Sequence, residues 1–206
     1  MSTLIATLGF DEKFLIKSIL RHGSSLKQIV VVAAEPLDQR SINALRTVED
    51  FTSKYLPSIR LQKVVVDPSR AREAIAKLKS LFKEAGEYIV NLSGGMRALL
   101  IELLIALTLT KPRGVLEVEL ENFQGVVKVP LKLLALPSLS SEEEKVLRTL
   151  VRLGRADVSG LTKMTGLPRS TLYQYLKSLK ARGLIAVDRE GRRAVYRPID
   201  EAALLT

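Results

Sequence analysis

Apolar positions over residues 1–134 follow two alternating rhythms. The short β-branched runs "TLIATLG" (3–9), "QIVVVAA" (28–34), "LQKVVVD" (61–67) and "EYIVNLS" (87–93) are separated by longer stretches of helical periodicity. That periodicity predicts helices over 11–22, 38–55, 68–85 and from the glycines at 94–95 to 109. Asp11 and Asp38 stand at N-cap positions, and Asp67 precedes Pro68 at a first helical position. Alternation of this kind implies a largely parallel sheet with helices on both faces. Near residue 114 the rhythm changes, and "VLEVELE", the turn "NFQG" and "VVKVPL" read as an antiparallel hairpin closing the sheet.

A boundary follows at "LALPSLSSEEEKVL", where Pro137 and three serines precede a capping box of Ser141 with Glu144. The predicted organisation is a domain over 1–134, a linker over 135–141 and a second domain over 142–206. In the second, helices over 142–153, 158–165 and 169–182 lead into two strands within "LIAVDREGRRAVYRPI". Three short helices and a basic hairpin make the order of a winged helix-turn-helix. Leu161, Met164, Leu167, Leu172, Leu176 and Leu179 can share one small core, with Tyr175 near that stripe. The last helix opens at Arg169 and presents Ser170, Tyr173, Gln174 and Lys177 on its other side, groups that touch base edges and phosphates in a major groove. An ordinary solvated face has the same composition. The wing "DREGRRAVYR" favours DNA, because Arg189, Arg192 and Arg193 gather at its tip.

Charge sharpens this picture. The chain of 206 residues carries a formal charge of +10. Between Arg152 and Arg197 stand eleven basic residues against Asp157, Asp188 and Glu190, so the positive charge concentrates on the reader. With no cysteine and His22 as the single histidine, thiolate and imidazole metal sites lose their usual ligands. His22 before Gly23 reads as a helix C-terminus with glycine in the left-handed cap. The apolar run 99–109 is too short to span a bilayer and contains Glu102, and the N-terminus reads as a strand rather than a signal peptide. The expectation is a soluble cytoplasmic protein.

Two loops leave the carboxyl ends of parallel strands, the edge where open α/β sheets bind ligands: "TLGF" after the first strand and "NLSGGMR" after the fourth. A strand, a glycine turn and a helix N-terminus make an anion cradle, because free N–H groups converge there. Met96 and Arg97 follow the glycines where a nucleotide-hydrolysing loop has Lys and Ser/Thr, so this cradle holds phosphate without hydrolysing a nucleoside triphosphate. Gly9 and Gly95 admit close backbone approach, and Arg97 can meet a phosphate. Glu35 beside Pro36 either lines this pocket or is a solvated loop carboxylate. The helix over 96–109 is apolar nearly all round, which fits either a helix buried in its own domain or one covered by a second subunit.

"ATLGFDEKFLIKSILRHG" and "YIVNLSGGMRALLIELLIAL", joined to a winged helix-turn-helix, resemble the CRISPR-associated Rossmann-fold (CARF) transcription regulators of archaea. The resemblance implies a Rossmann-like α/β domain with a mainly parallel sheet, followed by the small winged domain. It also implies a homodimer whose paired loops bind a cyclic oligoadenylate second messenger, typically cyclic tetra-adenylate, and control binding of double-stranded DNA. By it, ligand contact falls on Leu8, Gly9, Phe10, Ser93, Gly94, Gly95, Met96 and Arg97, with no cofactor and no catalytic residue. The alternative is a metal-independent ring nuclease, for which Arg97 and Ser93 are the only nominees. Binding of RNA or a ribonucleoprotein fits less well, because a winged helix suits duplex grooves.

Overall fold

The computed structural model describes residues 1–206 apart from Phe123 and Arg192. It forms two compact units, Met1–Ala135 and Leu136–Thr206. The first contains strands β1 (Ser2–Leu8), β2 (Leu26–Ala34), β3 (Arg60–Val66), β4 (Glu87–Asn91), β5 (Arg113–Glu119) and β6 (Val126–Pro130), in the sheet order β3-β2-β1-β4-β5-β6. Pairing is parallel from β3 across to β5 and antiparallel between β5 and β6. Helices α1 (Lys13–His22) and α2 (Gln39–Tyr55) cover one face, and α3 (Ala71–Lys79) and α4 (Arg97–Thr110) the other.

Successive strand residues point to opposite faces. Leu4, Ala6, Leu8, Ile29 and Val31 therefore meet Leu15, Ile19, Leu45 and Val48 of α1 and α2. Ile5, Val30, Val32 and Val90 meet Leu78, Leu99, Leu103 and Leu107 of α3 and α4. Burial on both faces is why these strands read as nearly unbroken apolar runs.

Several local expectations need correction. Asp38 caps α2, accepting the Ser41 N–H at 2.8 Å, but Asp11 lies one residue outside the N-cap of α1. It accepts the Lys13 N–H at 2.8 Å, while Glu12 occupies the cap. Gly23 is not left-handed: its φ is −39°, and the chain continues into a 3-10 turn, Gly23–Ser25. The stretch 68–85 is not one helix, since a 3-10 turn over Pro68–Arg70 precedes α3 and α3 stops at Lys79. Beyond it the Tyr88 ring folds back over Gly86, and its hydroxyl accepts the Lys83 N–H at 2.6 Å. A side chain at Gly86 would collide with that ring, and the Lys83 bond competes with helix continuation.

The second unit runs α5 (Ser141–Leu153), β7 (Ala156–Asp157), α6 (Val158–Thr165), α7 (Arg169–Ala181), β8 (Ile185–Glu190) and β9 (Arg193–Pro198), with sheet order β7-β9-β8. Val146, Leu147, Leu150, Leu161, Leu172, Leu176, Leu179 and Tyr196 form its core. Leu136 and Leu139, in the stretch read as a linker, pack on that core. Met164 does not join it and is 47% exposed, because Val158, Leu161 and Thr165 already occupy the buried side of the eight-residue α6.

The capping box sits one residue earlier than read. Ser140 Oγ accepts the Glu143 N–H at 3.2 Å, and Glu143 Oε2 accepts the Ser140 N–H at 3.0 Å. Glu143 also accepts from Ser178 Oγ at 2.7 Å and pairs with Arg182 at 3.3 Å. Burial opposes its charge, but these partners outweigh burial and hold its carboxyl below the ordinary range. A lowered folded-state pKa gives stability that is present above the unfolded value and lost as pH falls through the folded one. Glu143→Ala is expected to cost about 2 kcal/mol at neutral pH. In urea melts, the gap from wild type should close as pH drops below the ordinary value of about 4.3.

Candidate functional site

The strand order reverses between β1 and β4, and the loops leaving their carboxyl ends flank the resulting crevice. Both neighbouring strands hold the second loop in place. Thr7 Oγ1 on β1 donates to Gly94 O at 2.5 Å, and the Ser93 N–H donates to Asn91 Oδ1 at 3.0 Å. From β5, Glu117 O accepts the Leu92 N–H at 2.9 Å, and the Glu119 N–H donates to Ser93 Oγ at 2.8 Å. Within this frame the first loop rests on the second: a Cβ on Gly9 would lie 2.9 Å from Gly95 N and 3.1 Å from its Cα. Gly95 itself has φ +97°. Close approach at one position and a left-handed backbone at the other both require glycine.

The crevice opens into a cavity of about 550 Å³ lined by Leu8, Gly9, Phe10, Gly94, Gly95 and Met96, together with Phe14, Pro36, Asp38, Arg40 and Ser41. Six of the eight residues assigned to the ligand thus converge. The other two stand apart: Ser93 uses its hydroxyl to bond β5, and Arg97 is exposed on the first turn of α4 outside the lining. Arg40 escaped the sequence reading. Its guanidinium stands 4.8 Å from the centroid of the Phe10 ring, a cation–π contact at the mouth of the cavity. The Asp38 cap was the available signal, since it places the first turn of α2 at the same sheet edge. Glu35 lies outside this cavity and lines an adjoining depression with Asp67 and Arg70.

Behind the loop, a cluster of charges braces β5. Glu117 is fully buried, and its carboxylate meets His22 Nε2 at 3.0 Å, Arg21 Nη1 at 2.9 Å and Lys128 Nζ at 3.2 Å. Burial works against its ionisation, yet Lys128, His22 and Arg21 prevail and keep its carboxyl below the ordinary range. His22 is therefore a partner of Glu117, a role that sequence reasoning missed because the two are far apart in the chain. On α4, burial and then the charge of Asp67 push the Glu102 carboxyl above the ordinary range. That helix buries Leu99, Leu103 and Leu107, while Ile101, Ile105 and Leu109 remain 59%, 41% and 58% exposed.

In the second unit, Arg169, Ser170, Tyr173, Gln174 and Lys177 are all exposed on α7. Leu172, Leu176 and Leu179 hold its other side in the core, with Tyr175 packed beside them. Arg169 Nη2 donates to Ser159 Oγ at 2.5 Å. Strands β8 and β9 form the wing, with Glu190 opposite Arg193 and Gly191 (φ +62°) in the turn. Arg155 pairs with Glu190 at 2.9 Å and Arg197 with Asp188 at 3.0 Å, so part of the basic charge is internally compensated. Arg189 and Arg193 are exposed and have no ion pair among the described residues. Arg192 lies outside the described residues. No group of His, Asp and Glu able to hold a metal occurs among the described residues, and none of their helices is long and apolar enough to cross a membrane.

Residues 2–130 match the family model of the Csa3 CRISPR-associated Rossmann-like domain, and residues 137–202 match that of the sugar-specific transcriptional regulator TrmB. No curated protein matches the chain. Among solved structures, BpsR of Bordetella bronchiseptica, described as regulated in DNA binding by 6-hydroxynicotinic acid, is 24% identical over 33% of this chain and 54% of its own (TM-score 0.32). The PcaV transcriptional regulator of Streptomyces coelicolor is 31% identical over 33% and 50% (TM-score 0.32). The chain therefore spans about half the length of these regulators. Can2 of Sulfobacillus thermosulfidooxidans, solved with cyclic tetra-adenylate, is 10% identical over 99% of this chain and 63% of its own (TM-score 0.45).

Proposed function

Because the chain belongs to the family of the Csa3 CRISPR-associated Rossmann-like domain, we propose that it is a ligand-responsive DNA-binding regulator, sensing a cyclic oligoadenylate in the crevice between β1 and β4. The observation that carries this reading is the seating of Gly9 on Gly95, which exposes two glycine loops to one cavity at the topological switch point. Backbone approach to phosphate and the Phe10 and Arg40 planes suit linked adenylates, which combine anionic and aromatic surface. Pairing two chains through Ile101, Ile105 and Leu109 supplies a second cavity, since α4 starts directly after the glycine loop.

The reading is of a sensor rather than an enzyme. Among the described residues no lysine or histidine lines the cavity, and both Ser93, whose Oγ accepts the Glu119 N–H, and Arg97 stand outside the lining. Incubation with cyclic tetra-adenylate followed by chromatography tests this directly: the ring is expected to return intact, and linear products would establish the ring nuclease instead.

DNA binding is assigned to α7 and the wing. Arg189→Ala with Arg193→Ala should weaken binding to all sequences alike and lower the salt slope by about 2, because each lost phosphate contact releases fewer counterions. Gln174→Ala should instead change sequence preference, by about 1–3 kcal/mol at one base pair. A gel-shift salt series with and without the ring measures both effects and the response to ligand. An unchanged slope in the double arginine variant would remove the wing from the interface.

A further inference from the structure

At the edge of the sheet opposite the glycine loops lies a second cavity, of about 500 Å³. It exists because α3 stops at Lys79 and leaves the amino-terminal ends of β1, β2 and β3 uncovered on that face. The floor is polar where the covered part is aliphatic: Thr3, Gln28 and Gln62 stand two residues before Ile5, Val30 and Val64 of the core, on the same face of their strands. The 80–86 segment forms one wall, anchored by the bond from the Lys83 N–H to the Tyr88 hydroxyl. Lys27, Arg60 and Lys83 surround the cavity, and none forms an ion pair among the described residues. No carboxylate lines it, although Glu84 and Glu87 lie nearby in the chain.

Three like charges around one cavity repel one another, and a bound anion relieves that cost. Gln28 Nε2 donates to Gln62 Oε1 at 2.9 Å, a bond that fixes both amides and leaves the Gln62 N–H groups for a ligand. We propose that this cavity binds a phosphate-bearing ligand, with Lys27, Arg60 and Lys83 neutralising the phosphate and Gln62 donating to it. The phosphate can belong to a free nucleotide or to a nucleic-acid backbone. This site is independent of the cyclic oligoadenylate reading, since it shares no residue with the crevice between β1 and β4.

The test uses the full chain and the charge-reversed variant Lys27→Glu/Arg60→Glu, both changes at exposed positions. Inorganic pyrophosphate and AMP are titrated while amide resonances are followed, and duplex DNA is titrated separately by anisotropy. Saturable shifts centred on Gln28, Gln62 and Gly86, weakened at least tenfold in the variant while its melting temperature holds, are the expected result for a free nucleotide. A backbone source predicts instead that neither small molecule saturates and that the variant loses duplex affinity, with a salt slope lower by about 2. The proposal is overturned if neither small molecule saturates and duplex affinity is unchanged. Saturation confined to the residues around Gly95, equal in both proteins, overturns it as well.

Discussion

Gly95→Val is expected to abolish binding of cyclic tetra-adenylate, a loss beyond a hundredfold, while the winged unit keeps its own melting transition. The backbone at Gly95 has φ +97°, where a β-branched residue is strained by about 1–3 kcal/mol. Its Cβ would also sit 3.2 Å from the Thr7 Cβ, inside the contact that seats the loop on β1. Thr7 would have to give way by a few tenths of an ångström, which disturbs its bond to Gly94 O. Two graded controls bracket the effect. Arg40→Ala removes a charge-assisted contact at the cavity mouth and is expected to cost about 1.5–3 kcal/mol of binding. Arg97→Ala should cost less, since that side chain is exposed outside the lining. Calorimetric titration of the three variants, with melting curves alongside, orders them. Wild-type affinity in a folded Gly95→Val protein would reduce the loop to a plain connection between β4 and α4.

If two chains pair through α4 as proposed, Ile105→Glu is expected to leave the protein monomeric at micromolar concentration where the unsubstituted chain sediments as a dimer. Ile101, Ile105 and Leu109 recur at helical spacing on the side of α4 turned away from its own sheet. A carboxylate in the middle of that stripe would lose its hydration on pairing, at a cost of several kcal/mol. The buried side, with Leu103 and Leu107, is untouched, so the fold of the unit should persist. The same variant should bind the ring weakly, because each chain then offers a single cavity. A dimer that survives this substitution would place the two-fold contact elsewhere.

The α/β rhythm, the two-unit organisation and the winged order were legible in the chain because they rest on local periodicity. Runs such as "QIVVVAA" and "EYIVNLS" are apolar on both faces, which strands under helices on both sides require. Helix ends were less legible. Asp11 and Gly23 were read from residue type and the 68–85 stretch from its periodicity, whereas the chain at those places answers to the Lys13 N–H, to the 3-10 turn after α1 and to the Tyr88 ring over Gly86.

The glycine loops could be identified from sequence, since strand, glycine and helix follow one another within a few residues. What brought them to one cavity was the parallel pairing of β1 with β4, which set Gly9 on Gly95 across more than eighty residues of chain. Sequence alone determined which residue types were available at that edge: glycine backbone, Phe10, Met96, and arginines without histidine or cysteine. Only the tertiary structure decided that Ser93 bonds β5, that Arg40 rather than Arg97 reaches the cavity mouth, and that His22 supports Glu117. These are contacts between distant elements, set by strand order and helix packing, and local pattern carries no information about them.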